Sequence, residues 1–150
     1  MKTIKKIGNL VKFLPLFTAV FIFSACEEER VVPDSDIPSE AKTFITTHFP
    51  GETIAEVIRD RDDFKVDYEV FLSNGVALEF SKKGQCKSIQ SGTELPDSVI
   101  PQVILDYVRT NYSGEYIVQW EKEDNGQEVE ISNGLELKFD SNGNFKRIDY

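Results

Sequence analysis

Histidine occurs once in this sequence and cysteine twice, and there is no CxxC, no pair of histidines and no glycine-rich phosphate loop. A Cys or Ser nucleophile needs a base held beside it. The sole histidine, His48, falls late in a helical stretch with no such partner nearby, so it reads as a polar helix residue. Basic residues are also scarce: 17 Lys and Arg face 26 Asp and Glu. Lys2, Lys5, Lys6 and Lys12 lie in a segment expected to be removed, which leaves 13 basic against 26 acidic residues, a net charge near −13. Nucleic-acid affinity rests on Lys and Arg neutralising phosphates, so nucleic acid is excluded as a partner. A polyanion of this kind suits a cationic partner or weak calcium binding. A long apolar run is missing too. The run from 13 to 23 falls short of the ~20 residues needed to cross a bilayer as a helix.

That short run has another meaning. A basic start, an apolar stretch and the small residues Ser24-Ala25 follow the three-part plan of a secretory signal. Phe23-Ser24-Ala25-Cys26 resembles a bacterial lipobox, with Phe23 where Leu is usual. In such a motif the Cys26 thiol takes a diacylglycerol and becomes the mature N-terminus, and each buried methylene of the chains contributes about 0.8 kcal/mol to anchoring. Glu27-Glu28-Glu29 looks like the surface-export signal of Bacteroidetes lipoproteins. Residues 1–25 are therefore expected to be a signal, 26–36 a tether, and 37–150 the folded domain. The expected location is the cell envelope, lipid-anchored at the outer membrane on its periplasmic or surface side. With Cys26 consumed by lipid, Cys86 stands alone.

The folded part is one unit written twice. Residues 37–51 carry Ala41, Phe44, Ile45 and Phe49 at helical spacing, with Pro38 at the start and Pro50-Gly51 at the end. Residues 100–114 repeat this, with Ile104, Tyr107, Val108 and Tyr112. Strand-like segments follow, at 52–59 and 65–73 in the first copy and at 115–122 and 127–132 in the second. Asp60-Arg61-Asp62-Asp63 and Asp124-Asn125-Gly126 read as the turns between them. Ser73-Asn74-Gly75 and Ser132-Asn133-Gly134 then signal hairpins, expected as type I′ turns with positive φ at both Asn and Gly. A third strand, a turn at Gly84 or Gly143 and a short fourth strand end each copy. Aligned over 48 pairs, the copies share 16 identities. Repeat one spans about 37–91 and repeat two about 97–150. Cys86 aligns with Phe145, so it reads as a small apolar filler.

Period-two alternation assigns the faces. Tyr68, Val70, Leu72, Val76, Leu78 and Phe80 point one way, with Val129, Ile131, Leu135, Leu137 and Phe139 as their counterparts. Tyr116, Val118 and Trp120 are expected to join them, while Ile54 and Ile58 fit either side. The helices should cover this face. One copy alone would be marginal as a core; two, at about 1.5–3 kcal/mol per buried side chain, suffice. The opposite face carries Asp67, Glu69, Phe71, Ala77, Glu79, Glu128, Glu130, Glu136 and Lys138. It is expected to be open and acidic, as in a one-sided antiparallel sheet.

The export signal, the acidic tether and the doubled helix-then-hairpins unit with its Ser-Asn-Gly punctuation resemble the PepSY-like, beta-lactamase-inhibitor-protein-like family of exported Bacteroidetes proteins. Some of these are described as candidate calcium-regulated periplasmic proteins. The resemblance covers about 37–150. It implies an α+β fold, two tandem helix-plus-antiparallel-strand repeats forming one sheet with helices on one face. It also implies that the open face binds or inhibits other proteins. Asp67, Glu69, Phe71, Glu79, Glu128, Glu130 and Glu136 are the residues expected there. The aromatic-rich surface of the beta-lactamase inhibitor itself is not evident.

Carboxylates along a solvated sheet do not form the cleft that acid–base catalysis needs. Asp60-Arg61-Asp62-Asp63 and Asp140-Ser141-Asn142-Gly143-Asn144 hold oxygens that calcium could use, but neither fits an EF-hand loop. They read as turn residues. The expectation is thus a non-catalytic lipoprotein without a resident cofactor that engages a protein or peptide, such as an envelope peptidase, through its open face. The alternative is a calcium-responsive envelope sensor. Replacing Cys26→Ser should move the protein from the membrane to the soluble fraction on ultracentrifugation. Continued sedimentation with membranes would rule out the thioether anchor.

Overall fold

A computed structural model of the chain describes residues 29–61 and 65–149. The signal, Cys26 and the turn residues Asp62 and Asp63 lie outside the described residues. Within them the order is strand β1 (Arg30–Val31), helix α1 (Ser39–His48), β2 (Ile54–Arg61), β3 (Val66–Leu72), β4 (Ala77–Ser81), β5 (Cys86–Gln90), helix α2 (Gln102–Asn111), β6 (Ile117–Glu123), β7 (Gly126–Ile131), β8 (Glu136–Phe139) and β9 (Phe145–Asp149). Short 3-10 turns at Asp34–Asp36 and Asp97–Val99 precede the helices. The strands form one sheet in chain order, with every neighbour antiparallel. This is the α+β architecture that the doubled unit implies.

Each helix docks the same way. Ile37 and Ile100, just before Pro38 and Pro101, are buried. Ala41 and Ile45 of α1 and Ile104, Leu105 and Val108 of α2 form the buried stripes. Phe44 meets Phe80 edge-on at 5.7 Å, and Tyr107 meets Phe139 at 5.4 Å, so both helices lie on the same side of the sheet. Beneath them a row of paired inward residues crosses the sheet: Val57, Val70, Leu78, Ile89, Trp120, Val129, Leu137 and Ile148. Six of the eight are almost fully buried, and Trp120 and Ile148 pack against them.

Bulges set the facing that alternation left open. In β2 the register shifts between Ile54 and Glu56, and in β6 between Ile117 and Gln119. An extra residue, Ala55 or Val118, is inserted, and parity flips at that point. Ile54 and Val57 therefore face the core, and Ile58 faces out. In the second copy Ile117 and Trp120 face inward. Ile117 is buried, Tyr116 is 40% exposed, and Val118 is only half-buried, contrary to strict alternation. Asp60 and Arg61 continue β2 rather than forming the turn. Leu135 is half-buried against the core.

The Asn-Gly turns also differ from type I′. Among the described residues no non-glycine has positive φ, while Gly75 sits at +85° and Gly134 at +83°. The Gly75 amide donates to the Leu72 carbonyl (3.0 Å), and the Leu72 amide to Val76 (2.9 Å). This is a three-residue loop, a type I turn closed by a left-handed glycine. Asn74 Oδ1 accepts from the Val76 amide at 3.1 Å, as Asn133 does from Leu135. Asn is used for its side-chain acceptor and Gly for its φ.

Part of the expected tether is engaged. Arg30–Val31 pairs with Arg59 and Ile58, and the Val32 amide donates to the Val57 carbonyl at 2.9 Å. Cys86 is half-buried opposite Phe80, and burial pushes its thiol up to about 12, as suits a packing residue. Phe145, its counterpart, stacks on Tyr107 at 4.6 Å.

Two glycines separate local strain from packing. A Cβ at Gly75 meets nothing, but at Gly84 it would lie 2.9 Å from the Ala41 amide and 2.8 Å from Glu40 Cβ, at the first turn of α1. Gly75→Ala should cost about 1–2 kcal/mol from the left-handed φ alone. Gly84→Ala should cost that plus roughly 1–3 kcal/mol of overpacking. Urea midpoints of the two variants check this, and equal losses would refute the helix-turn contact.

Candidate functional site

The side of the sheet without helices carries two rows of outward residues. One runs Val31, Ile58, Glu69, Glu79, Ser88, Glu121, Glu128, Lys138 and Arg147. The other runs Glu56, Phe71, Ala77, Gln90, Gln119, Glu130, Glu136 and Asp149. All seven residues expected on the open face are there or, for Asp67, one pair further along. They form two groups. Asp67, Glu69, Phe71 and Glu79 belong to repeat one, and Glu128, Glu130 and Glu136 to repeat two. Glu69 and Glu128 are four strands apart, roughly 19 Å at about 4.8 Å per strand.

Five direct cross-strand pairs on this face set carboxylate against carboxylate: Asp60 with Asp67, Glu69 with Glu79, Glu121 with Glu128, Glu130 with Glu136, and Glu136 with Asp149; a sixth sets Lys138 against Arg147. Such pairs are unfavourable. Part of the repulsion is offset by two lysines: Lys138, which alternation already places on this face, and Lys87, which it does not single out. Lys87 sits at the bulge where β4 and β5 slip register. Its ammonium donates to Asp67 (2.9 Å) and to Glu79, and Lys65 adds a second cation to Asp67 at 2.8 Å. Lys138, at the position of Glu79 in the repeat, is held by Glu123 and Glu128, with Asp149 at 3.6 Å. The face is therefore a patterned set of ion pairs with residual negative charge, and not the uniformly acidic surface that composition suggests. The sign reversal from Glu79 to Lys138 is the signal in the sequence that reveals this.

The electrostatics follow the geometry. Burial works against the charge of Asp67, but its hydrogen bonds to Lys65 and Lys87 outweigh this and hold its carboxyl below the usual range. Lys87 is raised: burial opposes its charge, and the hydrogen bonds and charges of Glu79 and Asp67 prevail. Lys138 is raised by its hydrogen bonds to Glu123 and Glu128. Glu69 goes the other way. Partial burial, then Glu79, Glu29 and Glu56, raise its carboxyl.

A concavity of about 300 Å³ opens on the repeat-one half of this face. Ile58, Asp60, Asp67, Glu69, Glu79 and Gln90 are among its walls, with Glu29 at one side. Phe71 is half-buried and lines a neighbouring hollow with Val31 and Glu56, beside the edge strand. Among the described residues no three His, Cys, Asp or Glu side chains are grouped so as to hold a metal ion. Asp140 is occupied as a turn residue: its Oδ1 accepts from the amides of Asn142 and Asn144, both at 2.9 Å. His48, on the helix side, shares a 2.9 Å hydrogen bond with Ser98 and lies against Phe44.

Comparison with known proteins agrees with this architecture. The sequence model of one protein family, described as beta-lactamase-inhibitor-like and PepSY-like, matches residues 24–87 and again residues 66–147. No curated protein matches the chain. Among solved structures, a candidate periplasmic protein from Bacteroides vulgatus superposes with a TM-score of 0.77 at 35% identity, covering 82% of this chain and 98% of its own. A candidate calcium-regulated periplasmic protein from Bacteroides thetaiotaomicron gives 0.77 at 33% identity over 81% of this chain and 97% of its own. A second Bacteroides vulgatus protein, described as of unknown function, gives 0.78 at 32% identity over 82% of this chain and 100% of its own.

Two substitutions test the charge pattern. Asp67 has a depressed carboxyl, so its contribution to stability is present above the unfolded pKa and is lost as pH falls through the folded one. Asp67→Asn should lower stability at neutral pH and flatten the loss below the ordinary carboxylate range. Glu69 has a raised carboxyl, so its ionisation opposes folding as pH rises through the carboxylate range. Glu69→Gln should gain a few tenths of a kcal/mol at pH 7 and nothing well below pH 4. Thermal melts from pH 3 to 8 read both, and parallel curves for wild type and variants would refute the pattern.

Proposed function

The chain belongs to the PepSY-like, beta-lactamase-inhibitor-like family, and on that footing we propose that it is a non-catalytic binding module of the bacterial envelope. It engages a protein or peptide through the open face of its sheet. The observation that carries this reading is the asymmetry of the sheet. Both helices cover one side, and the other offers two rows of outward side chains, a concavity and the half-buried Phe71. Sheets in soluble domains commonly leave one face to water, but five carboxylate–carboxylate cross-strand pairs on it favour a use beyond solvation. Relatives described as periplasmic support an envelope location. The lipobox-like segment at Cys26 supports a lipid anchor at the outer membrane. Inhibition of an envelope peptidase is one form that such binding takes.

A second reading, a calcium-responsive sensor, is favoured by the same like-charged pairs and by the relative described as a candidate calcium-regulated protein. Calorimetry separates the two: no heat at millimolar calcium removes the sensor. For the binding module, a photo-crosslinking residue at Phe71 or Glu130 should capture a discrete partner in intact envelopes, while one at Thr47 on the helix side should not. Equal crosslinking from both sides, or none from the sheet, would overturn the open-face reading.

A further inference from the structure

The second repeat already contains, inside itself, the kind of ligand that the first repeat is shaped to receive. In repeat two the ammonium of Lys138 is held by Glu123, Glu128 and Asp149, and the lysine side chain is only 16% exposed. The internal alignment equates Glu123 with Asp60, Glu128 with Glu69, Asp149 with Gln90, and Lys138 with Glu79. All four repeat-one residues line the concavity of about 300 Å³. Repeat one thus keeps acceptors around the site but has a carboxylate where repeat two has the cation.

Its own cations do not fill the gap. Lys87 is committed to Glu79 and Asp67, and Lys65 to Asp67. No described cation pairs with Glu69, whose cross-strand neighbour is the like-charged Glu79. Ile58 and Ala77 supply apolar wall beside the carboxylates. That combination suits an alkyl stem ending in a charged head. An ammonium offers three donors on a compact centre, which matches acceptors arriving from different strands, whereas a guanidinium prefers a planar fork. The chain's own preceding residues Glu27 and Glu28 have the wrong sign, and a second copy carries the same net negative charge.

We propose that the repeat-one concavity is a seat for a lysine side chain of a partner protein, whose ammonium takes the place that Lys138 takes in repeat two. This rests on the open-face reading above and specifies its anchor. The partner is therefore a protein presenting a lysine on a cationic surface, so association should weaken steeply with salt.

The probe is an acetylated Gly-Ser heptapeptide with one central lysine, titrated into the isotopically labelled 26–150 chain carrying Cys26→Ser, at low ionic strength. Amide shifts are expected at Glu69, Glu79, Ser88 and Gln90. Affinity should fall at least tenfold when the peptide lysine is Nε-acetylated and at least fivefold in Glu69→Gln. Glu79→Lys, which installs the repeat-two arrangement, should abolish the shifts while the spectrum stays that of a folded chain. Unchanged affinity in both variants, or equal binding of the acetylated peptide on the sheet face, overturns the lysine seat and leaves the open-face reading standing. Shifts produced by millimolar calcium and not by the lysine peptide also overturn it. The open-face reading itself fails on a different result, the absence of crosslinks from Phe71 and Glu130.

Discussion

The pairing of β5 with β6 joins Ser88, Ile89 and Gln90 to Glu121, Trp120 and Gln119, and through these three pairs two small units become one sheet. Ile89 and Trp120 continue the inward row, so the apolar surface under α1 runs into that under α2. Without this seam each unit would be a helix on four short strands, a size at which a single core is marginal. The linker reinforces it. Leu95 is buried, and its amide donates to the Ile117 carbonyl at 2.9 Å. His48 of the first unit reaches Ser98 in that same linker.

Continuity of the inner face imposes continuity on the outer one. Because parity is shared across the seam, outward side chains of both repeats fall into the same two rows. The bulges at Ala55, Lys87, Val118 and Lys146 are repeated in both units and keep the rows aligned. On this frame the copies have diverged mostly in charge. Glu79 became Lys138, Asp67 became Gly126 and Phe71 became Glu130. Repeat two gathers three of its carboxylates, Glu123, Glu128 and Asp149, around Lys138, whereas repeat one uses Lys87 for two of its carboxylates and leaves Glu69 beside a concavity. The fold is common to both units, and the outward side chains are where their surface chemistry differs.

Much of this is legible in the sequence. Helical spacing around Phe44 and Tyr107, the Asn-Gly turns and the alternation in β3, β4, β7 and β8 placed the elements and the open-face residues. The first strand of each unit is the least legible, with Ile54 and Ile58 left open and Tyr116 and Val118 not inward as alternation expects, because an inserted Ala55 or Val118 inverts parity and looks no different from its neighbours in the sequence. The Asn-Gly turns were placed well but typed wrongly. The dipeptide accepts two geometries, and three-residue closure left only glycine at positive φ. Lys87 escapes the alternation because it sits at a bulge, whereas Lys138 falls on the open face by alternation but has ion partners, Glu123 and Asp149, on other strands.

The sequence by itself determined the doubled α+β architecture, the covered and open faces, and the excess of negative charge. These follow from local periodicity and composition, which act over a few residues. Only the tertiary structure decided which carboxylates are neutralised and which are left beside a hollow. Ion pairing depends on distances between strands, and those distances depend on register and bulges set by hydrogen bonding across the sheet. The same carboxylate-rich composition therefore gives a closed ion-pair cluster in one repeat and an open acidic concavity in the other.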